Sequence, residues 1–206
     1  ARAVQVKVAT VLREGQRLRA AQVELLGLVH SSLRDALSLQ VRRRQLVPHP
    51  FLGAWARIDD SCFKAFTDNL MKEQQINRGD AVFFEGDEGS AMYFVIAGTL
   101  SYKPGSLARE TAFRESDERL QCKSGDFFAE VALWYEWNHV GTMTAVATTE
   151  LAIVDASCCT AEFLQRYPVA ERVLMSYVLG FARSMMEEHS HPSDLSHHID
   201  YHELMF

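Results

Sequence analysis

The spacing of apolar residues predicts helices at the start of the chain. Through the first fifty positions, apolar side chains recur every three or four residues, which is the period of one helix face. Ser32 followed by Asp35 resembles a capping box, and Leu33, Leu37 and Val41 share one face of the helix that it opens. The motif PHPF is predicted to end this helix, because proline cannot continue the helical hydrogen-bond ladder.

The period changes near residue 71, where the pattern begins to predict strands. Asp59 or Asp60 is expected to cap one more short helix, with Phe63, Phe66 and Leu70 along one side. The segments that follow are AVFFEGD, AMYFVIAGTLSYK, MTAVATT and LAIVDA. They are rich in aromatic and β-branched residues and are separated by turns that contain glycine and aspartate. Short strands at such intervals predict an antiparallel sandwich or roll.

Helices are predicted again after residue 155. Ser157 is expected to cap the helix SCCTAEFLQRY, and Pro168 stands in the first turn of the next helix, where proline is tolerated. The polar run Ser106–Gln121 is predicted to be an exposed loop between strands. The last helix carries one apolar face, as core or subunit packing requires, at Val169, Val173, Leu174, Tyr177 and Phe181. The predicted fold class is α+β, an antiparallel β roll of the jelly-roll type (double-stranded β-helix) flanked by N-terminal and C-terminal helices.

Composition and charge favour a globular protein with a basic front. Hydrophobic residues make up 48% of the 206 positions and charged residues 23%, which argues against disorder over most of the length. The formal net charge of −6 divides into +6 over residues 1–50 and −12 over the remainder. The basic excess predicts contact with an acidic partner, another subunit or a membrane surface, while solvated helix faces would have the same composition.

Cysteine usage and hydropathy indicate a soluble segment in a reducing compartment. Cys62, Cys122, Cys158 and Cys159 form no CxxC pair and suggest no disulfide framework. The apolar stretch VLMSYVLGFA reaches about half of the roughly 20 residues that a membrane-spanning helix needs. The front of the sequence does not have the pattern of a signal peptide. If the parent protein lies in a membrane, this polypeptide is expected to be its soluble part.

Residues 125–142 carry a pattern suited to ligand binding. The sequence GDFFAEVALWYEWNHVGT places a glutamate in an apolar turn that begins with glycine, followed by a short helix. Together with NRGDAVFFEGDEGSAMYFVIAGTLSY, these turns resemble the cyclic nucleotide-binding domain family over about Asp59 to Glu188. The resemblance implies a roll that encloses a cyclic nucleotide, cAMP or cGMP, in a phosphate-binding cassette.

The same resemblance assigns roles to residues of the cassette. Glu130 would accept a hydrogen bond from the ribose hydroxyl. The N–H groups from Ala129 to Leu133 would hold the phosphate, since unpaired donors at the start of a helix favour an anion, and Ala132 is small enough for close approach. The residues assigned to ligand binding are Phe128, Ala129, Glu130, Ala132, Leu133, His139, Val140 and Thr142.

Two of these residues depart from the family pattern. His139 stands where the family has an arginine, and Ala129 where it has a glycine that would tolerate positive φ. Histidine is mostly neutral near pH 7 and lacks the bidentate fork, so binding would weaken by about 1.5 to 3 kcal/mol, roughly ten- to a hundredfold. Three outcomes stay open: weak binding of a cyclic nucleotide, a vestigial pocket closed by Trp134, Trp137 or the tail, and binding of an uncharged nucleoside.

The flanking segments indicate what the domain is attached to. LVHSSLRDALSLQVRRRQLVPHPFLGAW is similar to the end of the C-linker in cyclic-nucleotide-gated, hyperpolarisation-activated and ether-à-go-go-type channels. This resemblance implies a homotetramer beneath the pore of a cation channel, on the cytoplasmic side of the membrane. It divides the chain into a C-linker-like helical region at 1–57, a binding domain at 58–190 and a polar, histidine-rich tail at 191–206. Within the binding domain, the roll covers about 71–156 and the C-terminal helices about 157–190.

Other functions have less support in the sequence. No helix-turn-helix pattern follows the last helix, so binding of nucleic acid is not expected. No motif places a nucleophile or a metal beside Glu130 and His139, and the chain is therefore interpreted as a regulatory module rather than an enzyme. The tail histidines lack the cysteine or carboxylate cluster of a metal site, and no metal or cofactor is expected beyond the cyclic nucleotide. A cAMP-signalling adaptor or a relative of kinase regulatory subunits is the alternative.

Overall fold

The computed structural model describes residues 30–105, 120–156, 167–187, 193–195 and 199–205. The chain divides into two compact units, Ala1–Val41 and Arg42–Phe206. Of the first unit, the described part is the beginning of one helix. The strands and the candidate site lie in the second unit.

Three helices precede the strands. They are α1 (Ser31–Leu46), α2 (Pro50–Ile58) and α3 (Asp60–Leu70). The side chain of Asp59 accepts a hydrogen bond from the N–H of Cys62 at 2.9 Å, which confirms the predicted cap of α3. The predicted stop at PHPF is also confirmed, but Pro50 immediately opens α2, because the first helical turn needs no N–H from proline. Helix α2 is absent from the sequence prediction.

The strands in the middle of the chain form antiparallel sheets. They are β1 (Met71–Ile76), β2 (Ala81–Phe83), β3 (Glu88–Gly89), β4 (Ala91–Ala97), β5 (Thr99–Pro104), β6 (Gln121–Lys123), β7 (Phe127–Phe128), β8 (Trp137–Asn138), β9 (Gly141–Ala145) and β10 (Thr149–Asp155). One sheet has the order β1-β10-β4-β7, a second has the order β2-β9-β5-β6, and β3 pairs with β8. These pairings are antiparallel, and helices stand before and after them in the chain. The predicted α+β class with an antiparallel roll is confirmed.

Alternation of side chains along the strands builds the interior of the roll. Successive residues of a strand point to opposite faces, and on β5 this buries Leu100 and Tyr102 while Thr99 and Ser101 are half-buried and Lys103 is exposed. The core between the sheets contains Ile76, Phe83, Val95, Leu100, Tyr102, Cys122, Phe128, Ala129, Met143, Ala145, Leu151 and Leu195. Strand β1 has a different pattern: only its two end residues are buried, so its sequence MKEQQI carries little strand signal.

Two C-terminal elements complete the described chain, α5 (Pro168–Glu187) and α6 (Tyr201–Met205). Leu174, Tyr177 and Phe181 are buried, which confirms the predicted core face of α5. Leu195 and Ile199 are buried as well, so the tail adds apolar side chains to the interior. Within the ranges that the structure describes, no helix combines the length and the apolar character required to cross a membrane.

Several sequence predictions fall on residues that the structure does not describe. The helices predicted before residue 30, residues 106–119 of the predicted loop, residues 157–166 of the predicted helix and parts of the histidine-rich tail lie outside the described ranges. The described end of that loop reaches Gln121, where β6 begins.

Gly98 makes the reversal between β4 and β5. Its φ of +97° is readily adopted by glycine alone, and a Cβ there would lie 2.5 Å from Thr149 Oγ1 and 2.7 Å from the carbonyl oxygen of Thr148. Gly125 has the same φ of +97°, but a Cβ there would meet no atom within 4 Å. Substitution at Gly125 would therefore measure backbone strain alone, and substitution at Gly98 would measure strain together with steric contact.

Gly98→Ala is expected to lower the free energy of unfolding by about 2–5 kcal/mol, because backbone strain and the clash with Thr148 and Thr149 add together. Gly125→Ala is the matched control, with a loss of about 1–2 kcal/mol from strain alone. Urea unfolding followed by circular dichroism measures both. Equal losses in the two variants would show that the contact at Gly98 costs nothing.

Candidate ligand-binding site

Residues 125–142, called the cassette below, fold as a turn, a short strand, one helical turn and a second short strand. Gly125 has a φ of +97°, and β7 follows it. Ala129 then adopts a φ of +58°, a left-handed conformation that costs a residue with a Cβ about 1–2 kcal/mol. Helix α4 (Val131–Trp134) comes next. The expectation that this turn needs positive φ at Ala129 is confirmed.

A buried aspartate from the C-terminal part of the chain lies against the end of the cassette. The side chain of Asp194 is fully buried, at 0% exposure. Its Oδ1 accepts hydrogen bonds from Nε1 of Trp137 and Nδ1 of His139, both at 2.8 Å. Its Oδ2 accepts from the hydroxyl of Tyr102 at 2.8 Å and from the N–H of Val140 at 3.0 Å. Because a carboxylate offers about four lone-pair directions, these donors satisfy it completely.

The backbone around Asp194 is also held by the roll. The N–H of Ala129 donates to the carbonyl oxygen of Asp194 at 2.7 Å. The next residue, Leu195, is 5% exposed and belongs to the apolar core inside the roll. Residues 193–195, called the inserted segment below, thus place a carboxylate, a carbonyl group and a branched apolar side chain inside the domain.

His139, which the sequence places where the family has an arginine, is fixed on both sides. Its ring stacks on Phe83, with centroids 3.6 Å apart and planes within 3°. Its backbone N–H donates to the carbonyl oxygen of Asp87 at 2.9 Å, and its own carbonyl accepts from the N–H of Gly86 at 2.8 Å. A neutral imidazole can donate from Nδ1 to Asp194 only if that nitrogen carries the proton. His139 is therefore a positioned donor for a carboxylate.

Glu130 lies in a second buried cluster, which joins the cassette to helices before and after the roll. Its Oε1 accepts from the hydroxyl of Tyr177 at 2.6 Å and from Nε1 of Trp134 at 3.2 Å. Its Oε2 accepts from the hydroxyl of Tyr201 at 2.5 Å and lies 3.0 Å from Nε2 of His49. The side chain is completely buried. These five residues are called the Glu130 cluster below.

The partners of Glu130 stabilise its charged form. Burial raises the pKa of this carboxyl, but His49 beside it and hydrogen bonds from Tyr177 and Tyr201 lower it, and the net pKa is below the usual value of 4.5. Burial and the charge of Glu130 raise the pKa of Tyr177 well above its ordinary range. The phenol is therefore a protonated donor and Glu130 an anionic acceptor.

The same electrostatics hold at Asp194. Burial raises the pKa of the Tyr102 hydroxyl, and the charge of Asp194 raises it further. Tyr102 therefore stays protonated near neutral pH and donates to Asp194. Asp194 thus has at least three donors whose protons do not depend on the protonation state of His139: Tyr102, Trp137 and Val140.

The other predicted site residues make hydrogen bonds or apolar contacts with the rest of the roll. The N–H groups of Ala132 and Leu133 donate to the carbonyl oxygens of Ala129 at 3.2 Å and Glu130 at 2.9 Å. The side chain of Thr142 accepts from the N–H of Glu85 at 3.2 Å. Phe128 is a core residue. Of the eight residues predicted from the family pattern, Ala129, His139 and Val140 meet at the inserted segment, and Glu130 belongs to its separate cluster.

Several residues of these two clusters are not predicted from the sequence as site residues. Asp194 lies 55 positions from His139 in a polar stretch, and Tyr102 lies 92 positions from Asp194, so no local motif joins them. His49 and Tyr201 are also far from the cassette in sequence, and the position of Tyr177 on an apolar helix face predicts only that it is buried. An Asp-Leu pair in an otherwise polar tail is the one weak sign. Among the described residues, no group of three or more histidine, cysteine or carboxylate side chains could hold a metal ion.

Comparison with known proteins relates the chain to one curated protein in sequence and to one solved domain in fold. Over 104 residues, the chain is 27% identical to the "Putative potassium channel protein" of Rhodopseudomonas palustris, a match that covers 50% of this chain and 24% of that protein. The chain thus spans about a quarter of the length of this relative. In fold, it is similar to the N-terminal domain of a transcriptional regulator from Streptomyces coelicolor A3(2). That match has a TM-score of 0.53 and 18% identity and covers 72% of this chain and 99% of the other.

The sequence profile described as "Cyclic nucleotide-binding domain" matches residues 73–166. These residues include the strands of the roll from within β1 onward, the whole cassette and β10. Residues 73–166 of this chain therefore match the sequence pattern of the cyclic nucleotide-binding domain family.

Proposed function

We propose that this chain is a regulatory domain of a tetrameric cation channel whose cyclic nucleotide site is held by its own inserted segment, so that cyclic nucleotides bind weakly or not at all. The observation that carries the proposal is the Asp194 carboxylate, which accepts hydrogen bonds from four donors on β5 and at the end of the cassette. His139 replaces the arginine that the family pattern expects for the phosphate, and the N–H of Val140 follows it directly. An external phosphate would have to displace Asp194 from both groups.

The position of Glu130 supports the same conclusion for the ribose. The family pattern assigns this carboxylate to the ribose hydroxyl, but both of its oxygens already accept hydrogen bonds from Tyr177, Tyr201 and Trp134. A ligand hydroxyl would have to replace one of these donors, and the freed donor would then be buried without a partner at a cost of about 1–3 kcal/mol. Glu130 is proposed to hold the helices on the roll rather than to bind ribose.

The link from the cassette to α5 and α2 supports a regulatory role. Tyr177 belongs to α5, His49 caps α2, and both contact Glu130 beside the strained turn at Ala129. A change in the occupant of the pocket would move Ala129, because its N–H holds the carbonyl of Asp194. A ligand shifts a conformational equilibrium only through a difference in affinity for two states, and displacement of Asp194 supplies such a difference.

The channel part of the proposal has separate support. The Rhodopseudomonas palustris relative is named a potassium channel protein, and the segment around α1 resembles a C-linker. In this proposal, the domain lies on the cytoplasmic side of a membrane and assembles as a homotetramer. An exposed apolar stripe on α1 is available for such contacts, with exposures of 55% at Leu33, 46% at Leu37 and 52% at Val41.

Calorimetric titration tests the pocket. The native chain is expected to give no heat of binding with millimolar cAMP or cGMP. Asp194→Ala together with His139→Arg removes the carboxylate and adds a cation, so it should bind roughly ten- to a hundredfold more tightly than Asp194→Ala alone. Asp200→Ala, an exposed aspartate in the same part of the chain, is the control and should behave like the native chain. Micromolar binding by the native chain would refute the self-occupied pocket.

Glu130→Gln is expected to lower the free energy of unfolding at pH 7 by about 2–4 kcal/mol, because it leaves donors of the Glu130 cluster without an anion. The pKa of Glu130 is lowered on folding, so its contribution is present above the unfolded value of about 4.5 and is lost as the pH falls below it.

The difference in stability between the native chain and Glu130→Gln should therefore shrink between pH 6 and pH 3.5, as chemical unfolding at each pH would measure. Glu136→Gln makes the same change at an exposed position and should alter stability by less than about 0.5 kcal/mol. A difference that stays constant with pH would mean that the charge of Glu130 is not what the cluster stabilises.

Sedimentation equilibrium tests self-association. The native chain is expected to form tetramers, and replacing Leu33, Leu37 and Val41 with serine should leave monomers, because it removes the exposed apolar stripe. Met175 and Leu179, exposed on α5, are the matched control pair for serine replacement. A native chain that is monomeric at all accessible concentrations would argue against assembly through this segment.

A further inference from the structure

The donors around Asp194 define which anion the site accepts. They are an indole N–H, an imidazole N–H, a phenol hydroxyl and one backbone N–H. In the described part of the chain, no lysine or arginine forms an ion pair with Asp194. A phosphate in proteins is commonly held by a guanidinium fork or an ammonium group. This site instead offers hydrogen bonds arranged two to each oxygen of one carboxylate.

The geometry of these donors is rigid. The stack of His139 on Phe83 sets the direction of Nδ1. Tyr102 is confined by β9, since a Cβ on Gly141 would lie only 2.4 Å from its ring and its hydroxyl oxygen. The N–H of Val140 is fixed by the chain between them. A planar carboxylate fits such a frame, whereas a cyclic phosphate brings two ester oxygens and a ring to the tetrahedral phosphorus.

Recognition extends beyond the carboxylate. The N–H of Ala129 donates to the main-chain carbonyl of Asp194 at 2.7 Å, and the side chain of Leu195 enters the core that contains Phe83, Val95 and Phe128. The pocket thus contacts three parts of an Asp-Leu unit: the side-chain carboxylate, the carbonyl of the first residue and the isobutyl group of the second.

We propose that this pocket is selective for a carboxylate over a cyclic phosphate, and that the ligand able to replace the inserted segment is an acidic peptide unit of the Asp-Leu type. The inference rests on the proposed function, because it concerns the same pocket, and it goes further by naming the chemical class that the pocket selects. The hydrogen-bond donors, arranged two to each oxygen, set the preference for a carboxylate, and the apolar interior sets the preference for a branched neighbour.

The test uses the full chain with Asp194→Ala and Leu195→Ala, which removes the carboxylate and the isobutyl group and leaves the main chain of the inserted segment in place. The probe is N-acetyl-aspartyl-leucine amide. The matched control probe is N-acetyl-asparaginyl-leucine amide, which has the same shape but puts an N–H₂ group against donors. Titration calorimetry should show that the aspartyl probe binds at least tenfold more tightly than the asparaginyl probe, cAMP or cGMP.

A second variant covers the case in which the double variant does not fold. Asp194→Ala alone lacks little more than a carboxylate, so formate should raise its Tm, while dimethyl phosphate, a phosphodiester of the same charge, should not. The native chain is the control for general salt effects, and its Tm should change equally with both anions.

The outcomes separate this inference from the proposed function. Tighter binding of cAMP or cGMP than of the aspartyl probe, or equal rescue by formate and dimethyl phosphate, would overturn carboxylate selectivity while leaving the self-occupied pocket intact. Binding of no probe by a folded double variant would overturn the inference as well. A different result would refute the proposed function: micromolar binding of a cyclic nucleotide by the native chain.

Discussion

The hydrogen-bonded carboxylate of Asp194 is the interaction on which the arrangement of the pocket depends. A buried carboxylate without partners would be strongly unfavourable, so Asp194 stays in the roll only while its donors remain in place. Those donors come from β5, from β8 and from the two residues that join β8 to β9. One side chain from the C-terminal part of the chain therefore ties β5 to the end of the cassette.

The second carboxylate, Glu130, gives the pocket its connection to the helices. It follows Ala129 directly, and Ala129 holds the backbone of Asp194. Tyr177 and Tyr201 bring α5 and α6 to this carboxylate, and His49 brings the start of α2. Both buried carboxylates thus connect to the strained turn at Ala129: Glu130 is its neighbour in sequence, and Asp194 is bound to its N–H. In the proposed function, this closeness makes occupancy of the pocket and the position of the helices two parts of one equilibrium.

Much of the fold follows from short-range pattern, and the parts that do not have physical reasons. Alternation and turn residues predict the roll because each strand buries one face, and Asp59 caps α3 through a contact three residues away. The pattern does not predict helix α2, because Pro48 follows the end of one helix and Pro50 begins the next two residues later. Strand β1 escapes it because MKEQQI buries little.

The site shows the same division. The replacement of arginine by His139 and the strain at Ala129 can be predicted, since both belong to one contiguous motif. The partner of His139 cannot, because it lies 55 residues away in a polar tail with no periodicity. The sequence leaves a self-filled pocket as one of three outcomes, and in the proposed function contacts between distant residues identify the inserted segment as the part of the chain that fills it.

Hydrogen exchange at two backbone amides tests the central claim most directly. The N–H of Ala129 donates to the main-chain carbonyl of Asp194 and the N–H of Val140 donates to its carboxylate. In the unliganded native chain both amides should therefore be strongly protected. Asp194→Ala should abolish the protection of Val140 and reduce that of Ala129 less. If both amides exchange at the rate of an open loop in the native chain, the inserted segment does not occupy the pocket in solution, and the account is wrong.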